Sequence, residues 1–157
     1  KPEIQEGDIV LINTGWHKYY GDNVEYFCYS PGLYLEAGEW FVKKGVKAVG
    51  IDNQALDHPL ATAIGPHGPG GPILPWVSKE YEKETGKKVA EEFALWEPCH
   101  RQLLGNGIAG FENVGGDIDK VSGKRVTIAA FPWRWVKGDG CIVRMVAIVD
   151  PTGDFRL

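Results

Sequence analysis

Cysteine is scarce in this chain: Cys28, Cys99 and Cys141 are odd in number, widely spaced and set in ordinary core-like sequence. That excludes a disulfide framework and points to a reducing compartment, so the expected location is cytoplasmic. An excess of basic charge is also missing. The formal net charge is -4 and the Lys and Arg residues are scattered rather than striped, which argues against a nucleic-acid partner. No long apolar run occurs. The best stretch, Ile142 to Val149, is interrupted by Arg144 and falls far short of the roughly 20 residues needed to span a bilayer. Lys1-Pro2-Glu3-Ile4 has neither an initiator Met nor a charged-then-apolar leader, so further chain upstream is expected.

What is present is an ordinary globular composition. With 157 residues, 43% apolar and 24% charged, the chain reads as one domain over residues 1–157 with a normal buried core. Asp8 to Asn13 is a short Ile- and Val-containing run that suits a buried strand. Ser30-Pro31 reads as an N-cap and first helical residue, and Lys43-Lys44-Gly45 as the helix end. Val46 to Ile51 then returns as a second, parallel strand. From about 58 to 97 lies an insertion. Its first part is rich in Pro and Gly, and its second offers weak helices at Trp76 to Gly86 and Val89 to Trp96. Pro98 opens another helix that ends before Gly107, a strand follows at Ile108 to Phe111, and Val126 to Phe131 with Ile142 to Val149 reads as an antiparallel pair. The expected fold is therefore α/β, a mixed sheet with flanking helices.

One unit within this pattern brings chemistry together. A helix of about eight residues runs roughly 12 Å one way and a strand of about five returns roughly 16 Å. His100 stands at the start of that helix and Glu112 at the finish of that strand, twelve positions later, so both side chains reach the carboxyl edge of the sheet. An imidazole and a carboxylate there suit zinc, manganese or another divalent metal, although catalytic zinc needs three protein ligands.

The segment His100-Arg101-Gln102-Leu103-Leu104 to Gly107-Ile108, followed by Phe111-Glu112-Asn113-Val114, resembles the cyclase and kynurenine formamidase family of metal-dependent hydrolases. Gly7 to Ile12 with Thr14-Gly15-Trp16, Pro31-Gly32-Leu33, Gly45 to Asp52, Ala129 to Pro132 and Gly138 to Ala147 extend the likeness over most of the chain apart from Leu60 to Glu97. The resemblance implies the swivelling β/α/β fold. It also implies His100 and Glu112 as metal-site residues, and a metal-activated water attacking an amide, formamide, lactam or similar carbonyl of a small-molecule substrate. His100 is then either a ligand or the general base. The family's leading motif, H-x-G-T-H-x-D-x-P-x-H, is absent here, and Gly65-Pro66-His67-Gly68-Pro69 does not replace it. The remaining ligands are accordingly expected from an upstream segment or a second chain, in an oligomer.

Other residues carry lesser expectations. Trp16, in an aromatic-rich stretch with Tyr19, Tyr20, Tyr26 and Phe27, is the candidate substrate-pocket wall, and His58 a candidate substrate contact. His17 and His67 are loop histidines of the same standing as His58, in settings where exposed histidines are common and need no function. Asp52 is expected to fix its loop through backbone N–H groups. Cys99 and His100 are adjacent on a helix and point about 100° apart, which argues against a thiol nucleophile with its base. Trp133 and Trp135 alternate with polar neighbours and suggest a subunit contact. Two rival readings stand beside hydrolysis: a non-catalytic scaffold or regulatory subunit, and a dehydratase, cyclase or oxidase using the same metal.

Overall fold

A computed structural model describes residues 2–62 and 75–152. These fall into two compact units, one of Ile4–Ile118 and one built from residues 119–152 with residues 2–3. The first unit holds a three-stranded parallel sheet in the order β1 (Ile9–Ile12), β2 (Ala48–Ile51), β3 (Ala109–Phe111). Ile9 pairs with Ala48 and Ile12 with Ile51, while Gly50 pairs with Phe111, so all three strands finish at one edge. β2 is central and buried at every residue, which is why its sequence is continuously apolar rather than alternating.

Helices α2 (Leu35–Lys44) and α5 (Pro98–Gly105) join the sheet in one apolar cluster. Phe41 of α2 and Cys99 and Leu103 of α5 pack with Val49 and Ile51 of β2, Leu56 and Ile108. A second cluster gathers Cys28 from α1 (Val24–Cys28), Leu60 and Ala61, Val77 from α3 (Pro75–Thr85), Val89 from α4 (Val89–Glu92), and Phe93. Among the described residues no helix is long and apolar enough to cross a membrane.

The second unit contains the antiparallel pair β4 (Thr127–Pro132) and β5 (Val143–Ile148), with Thr127 opposite Ile148 and Pro132 opposite Val143. The α/β class is as expected, and its strands are divided between a parallel and an antiparallel sheet. Trp133 and Trp135, the expected contact residues, are exposed and lie with ring centroids 5.4 Å apart.

The first long helix departs from its expected boundary. It begins at Leu35, after the N-cap Tyr34, rather than at Pro31. The preceding residues are taken up by tertiary hydrogen bonds: Leu33 N–H donates to Leu56 O at 2.8 Å, His58 N–H donates to Leu33 O at 2.9 Å, and the Asn53 amide donates to Pro31 O. Local capping preference loses to pairing with the β2 tail. The other end behaves as its sequence indicates. Gly45 takes a left-handed φ of 67° and its N–H closes onto Phe41 O and Val42 O. The helix α1, capped by Asn23 Oδ1 accepting from Tyr26 N–H at 2.7 Å, was not foreseen within the aromatic stretch.

The crossing of residues 32–33 over 56–58 leaves no room at Gly32. A Cβ there would lie 2.2 Å from His58 Cα and 2.4 Å from His58 N, both backbone atoms that cannot swing aside. Gly32→Ala is expected to lower stability by about 2–3 kcal/mol. Urea unfolding followed by circular dichroism reads this directly, and an unchanged midpoint would refute the close approach.

Candidate functional site

Each strand of the parallel sheet is followed at its carboxyl end by residues that meet at one edge. Asp57, in the tail of β2, is fully buried and serves the start of α5. The first turn of any helix leaves backbone N–H groups without intrahelical partners. Here Asp57 Oδ1 accepts from Cys99 N–H at 2.8 Å and Oδ2 from His100 N–H at 2.9 Å. The N-cap residue, Glu97, sits at φ 44° and ψ 50° and makes no side-chain cap, because Asp57 has taken those donors from outside.

Asp57 Oδ2 also lies 2.6 Å from His100 Nδ1. With a buried carboxylate there, Nδ1 carries the proton and donates it, and the ring presents Nε2 on its far side. Nε2 stands 3.0 Å from Glu112 Oε1, which in turn accepts from Leu56 N–H at 3.0 Å. Flanked by two carboxylates, His100 has its pKa raised to about 10, first by the hydrogen bond it donates to Asp57 and then by that it donates to Glu112. The His100 and Glu112 side chains are 24% and 34% exposed, so the pair is reachable from solvent while Asp57 behind it is not.

The strand end that carries Glu112 is anchored to the β2 tail. Asn113 N–H donates to Asn53 O at 2.8 Å and Val114 N–H to Ile51 O at 3.0 Å. Asn113 adopts a left-handed φ of 55°, and its Oδ1 accepts from the Tyr26 hydroxyl at 2.5 Å. Burial pushes the Tyr26 hydroxyl up to about 12, with the nearby negative charges of Asp52 and Glu112 adding to the shift. It is therefore a donor to Asn113 throughout the physiological range.

Asp52 occupies the same edge one turn of chain earlier. Its Oδ1 accepts from Thr14 N–H at 2.9 Å and Thr14 Oγ1 at 2.7 Å, and its Oδ2 accepts from His17 N–H at 3.3 Å and lies 2.8 Å from His17 Nδ1. The loop-fixing role expected of Asp52 is present, with a histidine added to it. Burial raises the Asp52 pKa, but the bonds from His17 and Thr14 outweigh this and hold it below the usual carboxylate value.

The two substrate candidates have different settings. Trp16 opens a short 3-10 turn, Trp16–Tyr19, donates its indole N–H to Tyr26 O at 3.2 Å and stacks obliquely on Tyr19. It is partly exposed beside the Asp52 loop. His58 instead stacks on Phe93 with centroids 4.4 Å apart, and its Nδ1 accepts from Leu60 N–H at 3.2 Å. Its ring is engaged in packing and in capping the turn Pro59–Ala61. His67 lies outside the described residues. Cys99 is fully buried with its thiol pushed up to about 12 by that burial, so it is not a nucleophile.

Burial lowers the His58 pKa from 6.5 to about 4. The sign of the pH effect follows. Between these values the unfolded chain binds a proton that the folded chain refuses, so stability is lost as pH falls from about 6.5 towards 4, by up to about 3 kcal/mol. His58→Gln is expected to flatten that part of the stability profile, measured by urea unfolding at a series of pH values. An unchanged slope would show that His58 is not the group responsible.

Among the described residues, no group of three or more His, Cys, Asp or Glu side chains is placed to hold a metal ion. The sequence pointed to His100 and Glu112, and the structure brings them together. It did not point to Asp57 as the carboxylate behind His100, or to His17 as the partner of Asp52. The only available signal was the pair of aspartates, Asp52 and Asp57, just after an apolar strand.

The model of a family described as Putative cyclase matches residues 1–58, a span that includes Thr14, His17, Asp52 and Asp57. The likeness covers 58 of the 157 residues and is a similarity of that part of the chain. No curated protein matches the chain. Within the cyclase family reading, residues 1–58 supply β1, β2 and both buried aspartates, whereas His100 and Glu112 lie beyond the matched span.

Proposed function

We propose that the chain contributes His100 and Glu112 to the active site of a metal-dependent hydrolase that cleaves an amide, formamide, lactam or similar carbonyl compound. The observation that carries this reading is the arrangement Asp57–His100–Glu112. A buried carboxylate holds Nδ1, which fixes the tautomer and aims Nε2 at a second carboxylate 3.0 Å away. Carboxylate-backed histidines of this kind are the usual form of an imidazole ligand, and a neighbouring carboxylate oxygen is a compatible second donor for zinc or manganese. The donor chemistry therefore fits a divalent metal as two arms of its site. Because two protein donors do not complete such a site, the remainder are assigned to an upstream segment or a second chain.

When bound, a divalent metal supplies a water acidic enough to react near neutral pH and polarises the carbonyl. The chain's own part is to present Nε2 and Oε1 on one side of the substrate, with Asp57 buried behind them. With its pKa at about 10 in the metal-free chain, the His100 ring is protonated at neutral pH, and Nε2 must lose that proton before the ring serves either as ligand or as base.

Metal analysis of the isolated chain and of the purified assembly tests the reading. Zinc or manganese is expected in the assembly and is expected to be lost in His100→Ala. Equal metal in the wild type and the variant would refute it. In ¹⁸O-labelled water, hydrolysis of N-phenylformamide should place the label in the released formate. Oxygen consumption, or product formation without label, would point to redox or dehydration chemistry instead.

A further inference from the structure

Glu97 occupies the N-cap of α5 and does none of the work of a cap. An N-cap side chain normally accepts from the N–H groups two and three residues on. In α5 those donors, on Cys99 and His100, are held by Asp57. The Glu97 backbone is nevertheless pinned on both sides, its N–H donating to Ala61 O at 2.8 Å and its carbonyl accepting from Arg101 N–H at 3.0 Å. It is fixed at φ 44° and ψ 50°, a left-handed setting that a residue with a side chain adopts only at a cost.

The ordinary counter-ion is diverted as well. Arg101 stands four positions on, the spacing at which opposite charges on a helix pair. Its guanidinium instead lies 5.2 Å from the Trp96 ring centroid. Among the described residues the Glu97 carboxylate therefore has neither a hydrogen bond nor an ion pair, although the residue is half-buried. Burial raises its pKa above the usual carboxylate value, while the charge of His100 lowers it and those of Asp57 and Glu112 raise it further. Charges are felt over about 10 Å in salt solution, so the carboxylate stands close to the His100–Glu112 pair, three residues along the chain from His100. A carboxylate drawn partly out of water with no donor is poorly satisfied, and a ligand bearing a cationic donor would satisfy it.

We propose that Glu97 is a specificity residue of this site and binds a primary ammonium group of the substrate, so that the compounds cleaved are amides carrying an ammonium apart from the nitrogen that leaves. The proposal rests on the amide-cleaving reading above. An ammonium brings three N–H donors to an acceptor that has none, and the charge of Glu112 attracts it in the same direction. Holding the substrate at two points, its carbonyl at the His100–Glu112 end and its ammonium at Glu97, orients the amide for attack.

The purified assembly, loaded with manganese, is assayed as wild type, Glu97→Gln and Glu97→Lys on N-phenylformamide and on N-(3-aminomethylphenyl)formamide, which adds one ammonium group. The Glu97 side chain makes no bond within the fold, so both variants should fold, and thermal melts with metal analysis verify this. Wild-type kcat/KM should favour the charged amide by about 10- to 100-fold, the range that a charge-assisted hydrogen bond supports. Glu97→Gln should bring the ratio of the two kcat/KM values near one, and Glu97→Lys should turn it below one. A wild-type ratio near one, or a ratio that the variants keep within twofold of wild type, overturns the proposal. Calorimetric titration with benzylamine, a cation with no amide to cleave, gives a readout independent of turnover: its Kd should rise about 10-fold in Glu97→Gln. If the wild type cleaves neither amide, the amide-cleaving reading fails, and the titration alone decides the role of Glu97. Saturable binding that Glu97→Gln weakens then upholds the cation site, and equal binding in both, or none in either, overturns it.

Discussion

Glu112→Gln is expected to reduce retention of zinc or manganese by more than about 100-fold, and His100→Ala to abolish it. Loss of a residue behind a ligand typically costs about 10- to 100-fold in metal affinity, so loss of a donor itself should exceed that range. The geometry explains why the two variants differ. Glu112→Gln leaves His100 fixed by Asp57 and still presents a carbonyl oxygen beside Nε2, whereas His100→Ala removes the nitrogen and leaves Asp57 and Glu112 without the ring between them. Retention should also fall as pH is lowered, because Nε2 must surrender its proton before it can bind a cation. Equilibrium dialysis against buffered metal reads all three effects. Glu112→Gln with wild-type affinity would remove Glu112 from the site.

The largest stability effect belongs to Asp57. Its carboxylate is fully buried and satisfies the Cys99 and His100 backbone N–H groups as well as His100 Nδ1. Asp57→Ala leaves these donors buried or half-buried with no acceptor and uncaps α5, at a cost of about 3–5 kcal/mol. Set against a total of roughly 5–15 kcal/mol for a typical domain, that is a large fraction. The urea midpoint of the first unit should drop accordingly. Asp57→Asn keeps one acceptor oxygen and is expected to fall between the variant and the wild type. A midpoint within error of wild type for Asp57→Ala would mean that another group caps the helix.

Much of this arrangement could be read from residue order alone, and the exceptions share a cause. β1, β2, β3, α5 and the antiparallel pair all lie where apolar runs and Gly or Pro punctuation put them. These signals are local. His100 and Glu112 were also placed correctly relative to each other, because a short helix followed by a short strand returns the chain to its starting level whatever surrounds it. The start of α2 was misread because Ser30-Pro31 is a good local cap, and only the pairing of Leu33 with Leu56 and His58 overrides it. Asp57 was overlooked for the same reason: its partners are 42 and 43 positions away, a separation that no periodicity encodes. His58 reads from sequence as an exposed loop histidine beside Pro, with a contact to substrate as its lesser expectation. Its burial against Phe93 depends on α4 and the chain just beyond it folding back over the turn Pro59–Ala61.

Carrying Asp52 and Asp57 on one short stretch of backbone has a mechanical consequence. Both imidazoles are oriented from a common mount, which is itself pinned by the Leu33 crossing on one side and by Asn113 and Val114 on the other. Loosening that stretch by half an ångström would misaim both rings together, whereas α2, α5 and the sheet could remain folded. Heat inactivation should therefore precede global unfolding.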